Sequence, residues 1–363
     1  AALPPRSPVY QGLVISLAKL HELEAQGGWG TIPDGRKLEP GDSSPRVAAL
    51  RKRLAATGEL GDAAAEGETY DSKLEEAVKA YQIRIGMEAD GVAGRGTLAM
   101  LNISVTERIR QVIANMERMR WQADDLGVRY VLVNIPAYQL VAVSNGHVDL
   151  NMKVVVGRPA RPTPVFSDTI RFVEFNPDWS VPSTIAREDI QPHLISNPLY
   201  ALEHKNVRMY KDGVEIDPTT IDWRHTSVRQ FRLTAPPGPR NPLGTVKFLF
   251  PNRFDVYLHD TSEPRLFAKT ERAFSSGCVR VSDPAALSNW LLSDKPNWSD
   301  EKRQSILDSR RQTRLNMENP VPVYITYITA WLGEDGRPVF RTDIYNRDAP
   351  LAAAIHKAGD SPR

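Results

Sequence analysis

The sequence predicts an α+β chain: a helical first third, then a β-rich, mostly antiparallel sheet or sandwich that carries a helical insertion. Three observations carry this. Apolar residues recur at three- and four-residue steps up to residue 122, whereas the runs after it are rich in Val, Ile, Tyr and Phe. Asn145-Gly146 and Asp335-Gly336 are hairpin signals placed between such runs. Between residues 180 and 235 the strand pattern breaks up around Pro192, Pro198 and Asp212-Gly213.

Taken in order, Leu13, Leu17, Leu20 and Leu23 lie close to one helical face, and Gly27-Gly28 ends that run. This gives an N-terminal helical segment over residues 1–37, the remnant of a scaffold region, whose apolar face needs a partner that a truncated chain would lack. Residues 38–103 read as a three-helix module. Ser44-Pro45 is an N-cap followed by proline at the first helical position, with Val47, Leu50 and Leu54 on one face and Gly58 closing the helix. Asp71 caps a second helix through Leu74, Val78, Tyr81 and Ile85, and Gly86 stands where a left-handed terminal residue belongs. After the turn Asp90-Gly91-Val92-Ala93-Gly94, Thr97 opens a short third helix. A linker helix is expected over 104–126, with Ile109, Val112, Ile113 and Met116 on its apolar side.

Strands are expected at 130–135, 139–143, 148–156, 169–175, 245–250 and 255–259, within a second domain spanning 127–346. Residues 185–203 read as interrupted helix inside the 180–235 insertion. Helices follow at 284–293 and 299–313, strands at 321–331 and 339–344, and a tail at 347–363.

Composition narrows the function. With 363 residues, 41% hydrophobic and 25% charged, the chain is long enough for two or three packed units. Its 46 Lys and Arg against 44 Asp and Glu leave no basic excess, so nucleic acid is not an expected partner. No apolar run of about 18 residues marks a transmembrane helix. The start Ala1-Ala2-Leu3-Pro4-Pro5 has neither an initiator methionine nor a signal-peptide layout, as expected of a processed or truncated chain.

The single cysteine, Cys278, is either a small buried hydrophobe or a thiol kept for reactivity. Its surroundings favour the second. Tyr257-Leu258-His259 ends a predicted strand, and Ser275-Ser276-Gly277-Cys278-Val279-Arg280 follows nineteen positions after the histidine. A thiol with a pKa of about 8.5 is only slightly ionised at neutral pH, so a neighbouring imidazole must take its proton before it attacks a carbonyl. His259 is that candidate. Gly277 allows a sharp turn and close approach of a substrate carbonyl to the amides of Gly277 and Cys278, the expected oxyanion site. Arg280 either binds a substrate carboxylate or braces the loop through a salt bridge. Tyr257 and Trp179 are either cleft-lining or core aromatics.

These residues resemble the L,D-transpeptidases with a YkuD-type catalytic domain, whose signature is a His followed at a distance by Ser or Thr, His, Gly and Cys. Ser276 departs from it, standing where most members carry the second histidine. The Ser-Ser-Gly-Cys-Val-Arg run is similar to that of the larger, periplasmic YcbB-like subgroup. So are Asn176-Pro177-Asp178-Trp179-Ser180-Val181-Pro182, Pro237-Gly238-Pro239-Arg240-Asn241-Pro242-Leu243-Gly244 and Asp343-Ile344-Tyr345. Ala77-Val78, Tyr81-Gln82, Asp90 to Gly94 and Thr97 make the helical module resemble a peptidoglycan-binding domain. The resemblance implies a periplasmic or wall enzyme with the 180–235 insertion capping its active site, acting on peptidoglycan stem peptides and glycan and inhibited by carbapenems. It implies attack by Cys278 on diaminopimelate with release of D-alanine, a thioester, and a 3-3 cross-link when a second stem's amine resolves it. Hydrolysis or attachment of a lipoprotein lysine would proceed from the same thioester.

Rival chemistries are poorly supported. Ser16-Leu17-Ala18-Lys19 and Ser299-Asp300-Glu301-Lys302 satisfy a serine D,D-transpeptidase pattern, but no Lys-Thr-Gly or Lys-Ser-Gly accompanies them. The seven histidines form no close metal-binding pair, so no metal and no cofactor is expected. A wall-binding protein without activity is the remaining alternative, and it does not account for His259, Gly277 and Cys278 together.

Overall fold

The computed structural model describes residues 7–122 and 125–359, so the expectations placed on the first six and last four residues lie outside the described residues. Two compact units emerge. One joins the described residues up to Asp125 with those from Tyr327 onward, and the other is Leu126–Thr326.

In the first unit, α1 (Pro8–Ala25) starts at Ser7, whose hydroxyl accepts from the Tyr10 amide at 3.2 Å. Its apolar face has a partner after all: Leu13 and Leu20 pack on Val105, Ile109, Val112, Ala330 and Phe340. The three-helix module comprises α2 (Pro45–Ala55), α3 (Ser72–Ile85) and α4 (Arg95–Leu101). Asp71 caps α3 through the Leu74 amide at 2.9 Å, and Gly86 ends it at φ 76°. Gly94 is the N-cap of α4, which starts at Arg95, two residues before the expected Thr97. Leu50, Leu54, Leu74, Val78 and Leu101 are fully buried in the core these helices share. Gln82 holds the glycine turn by donating to Asp90 Oδ1 and the Val92 carbonyl and accepting from the Gly91 amide. Helix α5 (Val105–Arg120) opens with a Ser104–Glu107 capping box.

The C-terminal segments correct two expected boundaries. Residues 327–346 belong to this unit, not to the β-rich one. The expected tail contains a helix, Asp348–Gly359, anchored by Asp348 to Arg118 at 2.5 Å and to the Thr329 hydroxyl at 2.7 Å. The signal at Asp335-Gly336 is indeed a hairpin, pairing Ala330–Leu332 with Pro338–Phe340.

The second unit holds β1 (Arg129–Asn134), β2 (Gln139–Ser144), β3 (His147–Gly157), β4 (Phe166–Phe175), β5 (Trp179–Ser180), β6 (Arg208–Lys211), β7 (Val214–Ile216), β8 (Arg232–Ala235), β9 (Val246–Leu249), β10 (Leu258–His259), β11 (Ala273–Ser275), β12 (Val279–Val281) and β13 (Thr313–Thr326). The main sheet runs β11-β3-β12-β10-β9-β4-β13-β1-β2, and β2 pairs with β3, so its order returns on itself. Most neighbours are antiparallel, as expected, while β1–β13, β10–β12 and β3–β11 are parallel. Asn145 and Gly146 both have positive φ and close the β2–β3 hairpin.

Several elements differ from expectation for local reasons. The helix expected to 313 ends at Asp308, Arg310 takes φ 53°, and Thr313 already begins β13. Strand β13 therefore starts before the expected 321, carrying Pro320 and Pro322 across a register shift between Asn316 and Val321. The 180–235 insertion is not purely helical. It contributes a four-stranded sheet, β5-β8-β6-β7, packed with short helical turns around Ile190, Leu194, Met209, Trp223 and Leu233.

Candidate active site

Strand β10 ends at His259, and β12 begins one residue after Cys278. They run parallel with Leu258 opposite Val279 and His259 opposite Arg280, and the Val279 amide donates to the Tyr257 carbonyl at 3.1 Å. One step earlier in this register Tyr257 stands across from Cys278. Alternate residues of a strand share a face, so Tyr257, His259, Cys278 and Arg280 project from one side of the sheet. The rings of Tyr257 and His259 accordingly meet edge to face at 5.6 Å.

The nucleophile loop is held by a small set of bonds. Gly277 has φ 122°, a conformation an L side chain rarely adopts, although a Cβ there would meet nothing within 4 Å. The glycine therefore answers a backbone demand, not a lack of space. Ser275 is buried, donates to the Cys278 carbonyl at 2.5 Å and accepts from the Gly277 amide at 3.1 Å. This corrects the expectation for Gly277: its amide is engaged inside the loop by the Ser275 hydroxyl. Ser276 accepts from Arg161 at 3.1 Å, and Arg161 is paired with Asp189 and Glu188. Thr163 closes the clamp, its hydroxyl donating to the Gly277 carbonyl at 2.8 Å and accepting from the Gly157 amide at 2.9 Å.

Sequence reasoning missed Arg161 and Thr163. The signal was the proline-rich turn Gly157-Arg158-Pro159-Ala160-Arg161-Pro162-Thr163-Pro164 directly after a strand. Thr163→Val should leave the Gly157 and Gly277 groups without this partner and destabilise the β-rich unit by about 2–4 kcal/mol. Urea unfolding should show it, with a parallel drop in the thiol-labelling rate constant of Cys278; an unshifted midpoint would refute the clamp.

His259 is buried, and its Nδ1 lies 2.5 Å from the Asp260 carbonyl. A carbonyl only accepts, so Nδ1 carries the proton and Nε2 is left as the base. Asp260 is itself fixed, its carboxylate accepting from the Thr245 amide and hydroxyl at 2.8 Å and from the Thr261 amide at 2.7 Å. Gly244 makes room for it, since a Cβ there would lie 2.3 Å from that carboxylate. Burial first, then the positive charges of Arg280 and Lys247, push the His259 pKa down to about 3.

Lys247 is a second residue that the sequence alone did not single out. In β9 it pairs across from His259, its Nζ lies 5.1 Å from the Tyr257 ring centre and 3.3 Å from Glu174, and Glu174 is also held by Arg314 at 2.7 Å. Register, which sequence does not display, makes this a row of charges beside the imidazole.

Cys278 is half-buried, with Sγ 3.8 Å from the Asp255 carbonyl. Burial pushes its thiol up to about 11, against the pull of Tyr257, which offers both its backbone N–H and its hydroxyl, and of Lys247 and Arg280. Trp179 reaches the Tyr257 side chain and is buried in the insertion's core, where Tyr257 also packs. Arg280 pairs with Glu263 at 2.8 Å, the loop-bracing arrangement.

The arrangement is that of a thiol nucleophile with a neutral imidazole base and a tyrosine donor on one sheet face. Residues 128–325 match the model of the YkuD family, described as the L,D-transpeptidase catalytic domain, and the chain belongs to that family. Residues 43–101 match the model described as "Putative peptidoglycan binding domain". A Haemophilus influenzae protein named "Putative L,D-transpeptidase" is 34% identical over 225 residues, which cover 62% of this chain and 45% of that protein, so the chain spans under half of its curated relative. Among solved structures, an L,D-transpeptidase from Xylanimonas cellulosilytica is 17% identical, covering 81% of this chain and 99% of that one at a TM-score of 0.26. L,D-transpeptidase 3 from Mycobacterium tuberculosis with a faropenem-derived adduct is 14% identical, covering 55% and 60% at a TM-score of 0.28.

Proposed function

We propose that the chain is a peptidoglycan L,D-transpeptidase that forms 3-3 cross-links. The observation that carries this reading is the pairing of β10 with β12, which sets the Cys278 thiol on the same face as the Nε2 base of His259 and beside the Tyr257 donors. His259 takes the thiol proton as sulfur attacks the diaminopimelate carbonyl of a tetrapeptide stem. The imidazolium returns that proton to the departing D-alanine amine, leaving a thioester. The side-chain amine of a second stem attacks the thioester, His259 accepts its proton, and the thiol is regenerated.

Residues 38–103 serve as the wall-binding module and the 180–235 insertion caps the cleft, with the adjoining Trp179 reaching Tyr257. Such work belongs in the periplasm, and the YcbB-like resemblance of residues 176–182 and 237–244 agrees with it. Among the described residues no helix is long and apolar enough to cross a membrane. A carbapenem is the expected covalent inhibitor, since its strained carbonyl offers Cys278 the same attack.

Incubation with purified tetrapeptide muropeptides should yield a cross-linked dimer lighter by one D-alanine, with Cys278→Ala as the blank. Tripeptide alone would make the chain a hydrolase and remove the transferase claim. Product unchanged from the blank would favour a wall-binding protein.

A further inference from the structure

The first unit contains a cavity of about 390 Å³, large enough for a small ligand, walled in part by Trp29, Arg53, Tyr81, Arg84, Arg108 and Phe340. Its chemistry is unusual for a packing defect. Arg53 and Arg108 are each only 2% exposed, and their acceptors are neutral: the Leu101 carbonyl and Thr57 hydroxyl for Arg53, the Met100 carbonyl and Gln111 amide oxygen for Arg108. Among the described residues no carboxylate forms an ion pair with either. Arg84 does pair with Glu59, yet its Nε is buried without a hydrogen-bond partner, and the Tyr81 hydroxyl facing Arg108 is buried with no partner of ordinary geometry.

Buried cations are ordinarily paired, because moving a charge out of water costs far more than neutral acceptors return. Here several cations share one cavity. Burial lowers Arg53 and Arg84 to about 10, repulsion among the guanidiniums adds to it, and Arg108 is lowered for the same first reason. Lys19 and Arg337 line the same cavity, and Glu22 is the one carboxylate among its lining residues. Arg108 lies 4.3 Å from the Phe340 ring centre and Arg53 3.9 Å from that of Trp29, so both guanidinium planes are held in place by aromatic faces.

We propose that this cavity is a binding site for a small oxyanion-bearing ligand, whose carboxylate or phosphate sits between Arg53, Arg84 and Arg108 and whose body fills the apolar remainder. The anion supplies the counter-charge that Arg53 and Arg108 lack and an acceptor for the Tyr81 hydroxyl. The site is separate from Cys278 in its residues and its chemistry, and its occupancy is read without turnover.

Calorimetric titration of the whole chain with inorganic phosphate and with N-acetylmuramic acid, a carboxylated amino sugar, tests it at constant ionic strength. N-acetylglucosamine, which lacks the carboxylate, is the control. At least one of the two anions should bind saturably and the control should not; phosphate alone assigns a phosphate source, the sugar acid a wall-carbohydrate source. Arg108→Met should weaken binding by about tenfold or more, the loss of a charge-assisted contact. It should fold, because removing an uncompensated buried charge is tolerated. Lys19→Glu, an exposed change, should weaken binding about threefold and decides the matter if the first variant misfolds. No saturable anion binding, equal binding of the uncharged sugar, or binding indifferent to both substitutions overturns the proposal.

Discussion

His259→Gln is expected to slow acylation of Cys278 by a factor between about 10² and 10⁴, the range that general-base removal brings, while making the protein more resistant to acid. Both effects follow from one local arrangement. The Asp260 carbonyl fixes the ring with its proton on Nδ1, which leaves Nε2 unprotonated, with no need to shed a proton first. That readiness has a structural cost. The folded-state pKa of about 3 lies below the ordinary 6.5 because burial, Arg280 and Lys247 all oppose the charged ring. The unfolded chain therefore binds a proton that the folded chain refuses, so the stability this site permits is complete above pH 6.5. It is lost as the pH falls toward 3, by on the order of 4 kcal/mol in all. Glutamine keeps the bulk and an amide donor without the titration. Melting temperatures of the two proteins should agree near pH 7.5 to within a few degrees and separate in favour of the variant by pH 4.5; parallel acid profiles would show that the imidazole is not buried as described.

The same site explains what the sequence reveals and what it hides. Gly277 was legible because its own position demands a residue that tolerates a positive φ, and His259 and Cys278 stood out by residue type alone, as the one sulfur and an imidazole nineteen positions before it. Helix ends at Asp71 and Gly86 were legible for the same local reason. Lys247, Glu174 and Arg314 were not, because their meaning arises only when β9, β4 and β13 are laid side by side in register. Nor was the Gly277 amide's capture by Ser275, a bond between neighbours whose direction depends on how the loop turns. Short strands escaped as well. Strands β5, β11 and β12 span two or three residues each, too few for alternation to declare itself, yet β12 is the strand that follows Cys278 and pairs with β10.

Labelling of Cys278 by iodoacetamide should rise about tenfold per pH unit from neutrality to nearly pH 11, with no plateau on the way. The imidazole is neutral above about pH 3 and the thiol protonated below about pH 11, so the resting pair between those limits is thiol and imidazole, not thiolate and imidazolium. Iodoacetamide reads the thiolate, whose fraction grows with pH until the thiol's own pKa is reached. A preformed ion pair would instead give a flat, fast rate through the neutral range, and that result would sink this description. The electrostatic source is separable by substitution at Lys247, whose ammonium favours the thiolate and is itself held by Glu174 and the Tyr257 ring. Lys247→Met should move the labelling curve to higher pH, lowering the rate at pH 9 by about threefold to tenfold, the effect of a partly screened charge. Lys247→Arg, which keeps the charge, should leave the curve nearly in place. Glu174 retains Arg314 in both variants, so the strands on either side stay clamped and the shift reports on charge, not on collapse of the sheet. Transfer to a stem peptide should respond differently from labelling: the neutral base removes the thiol proton during attack, so its rate should stay level across the neutral range where labelling climbs.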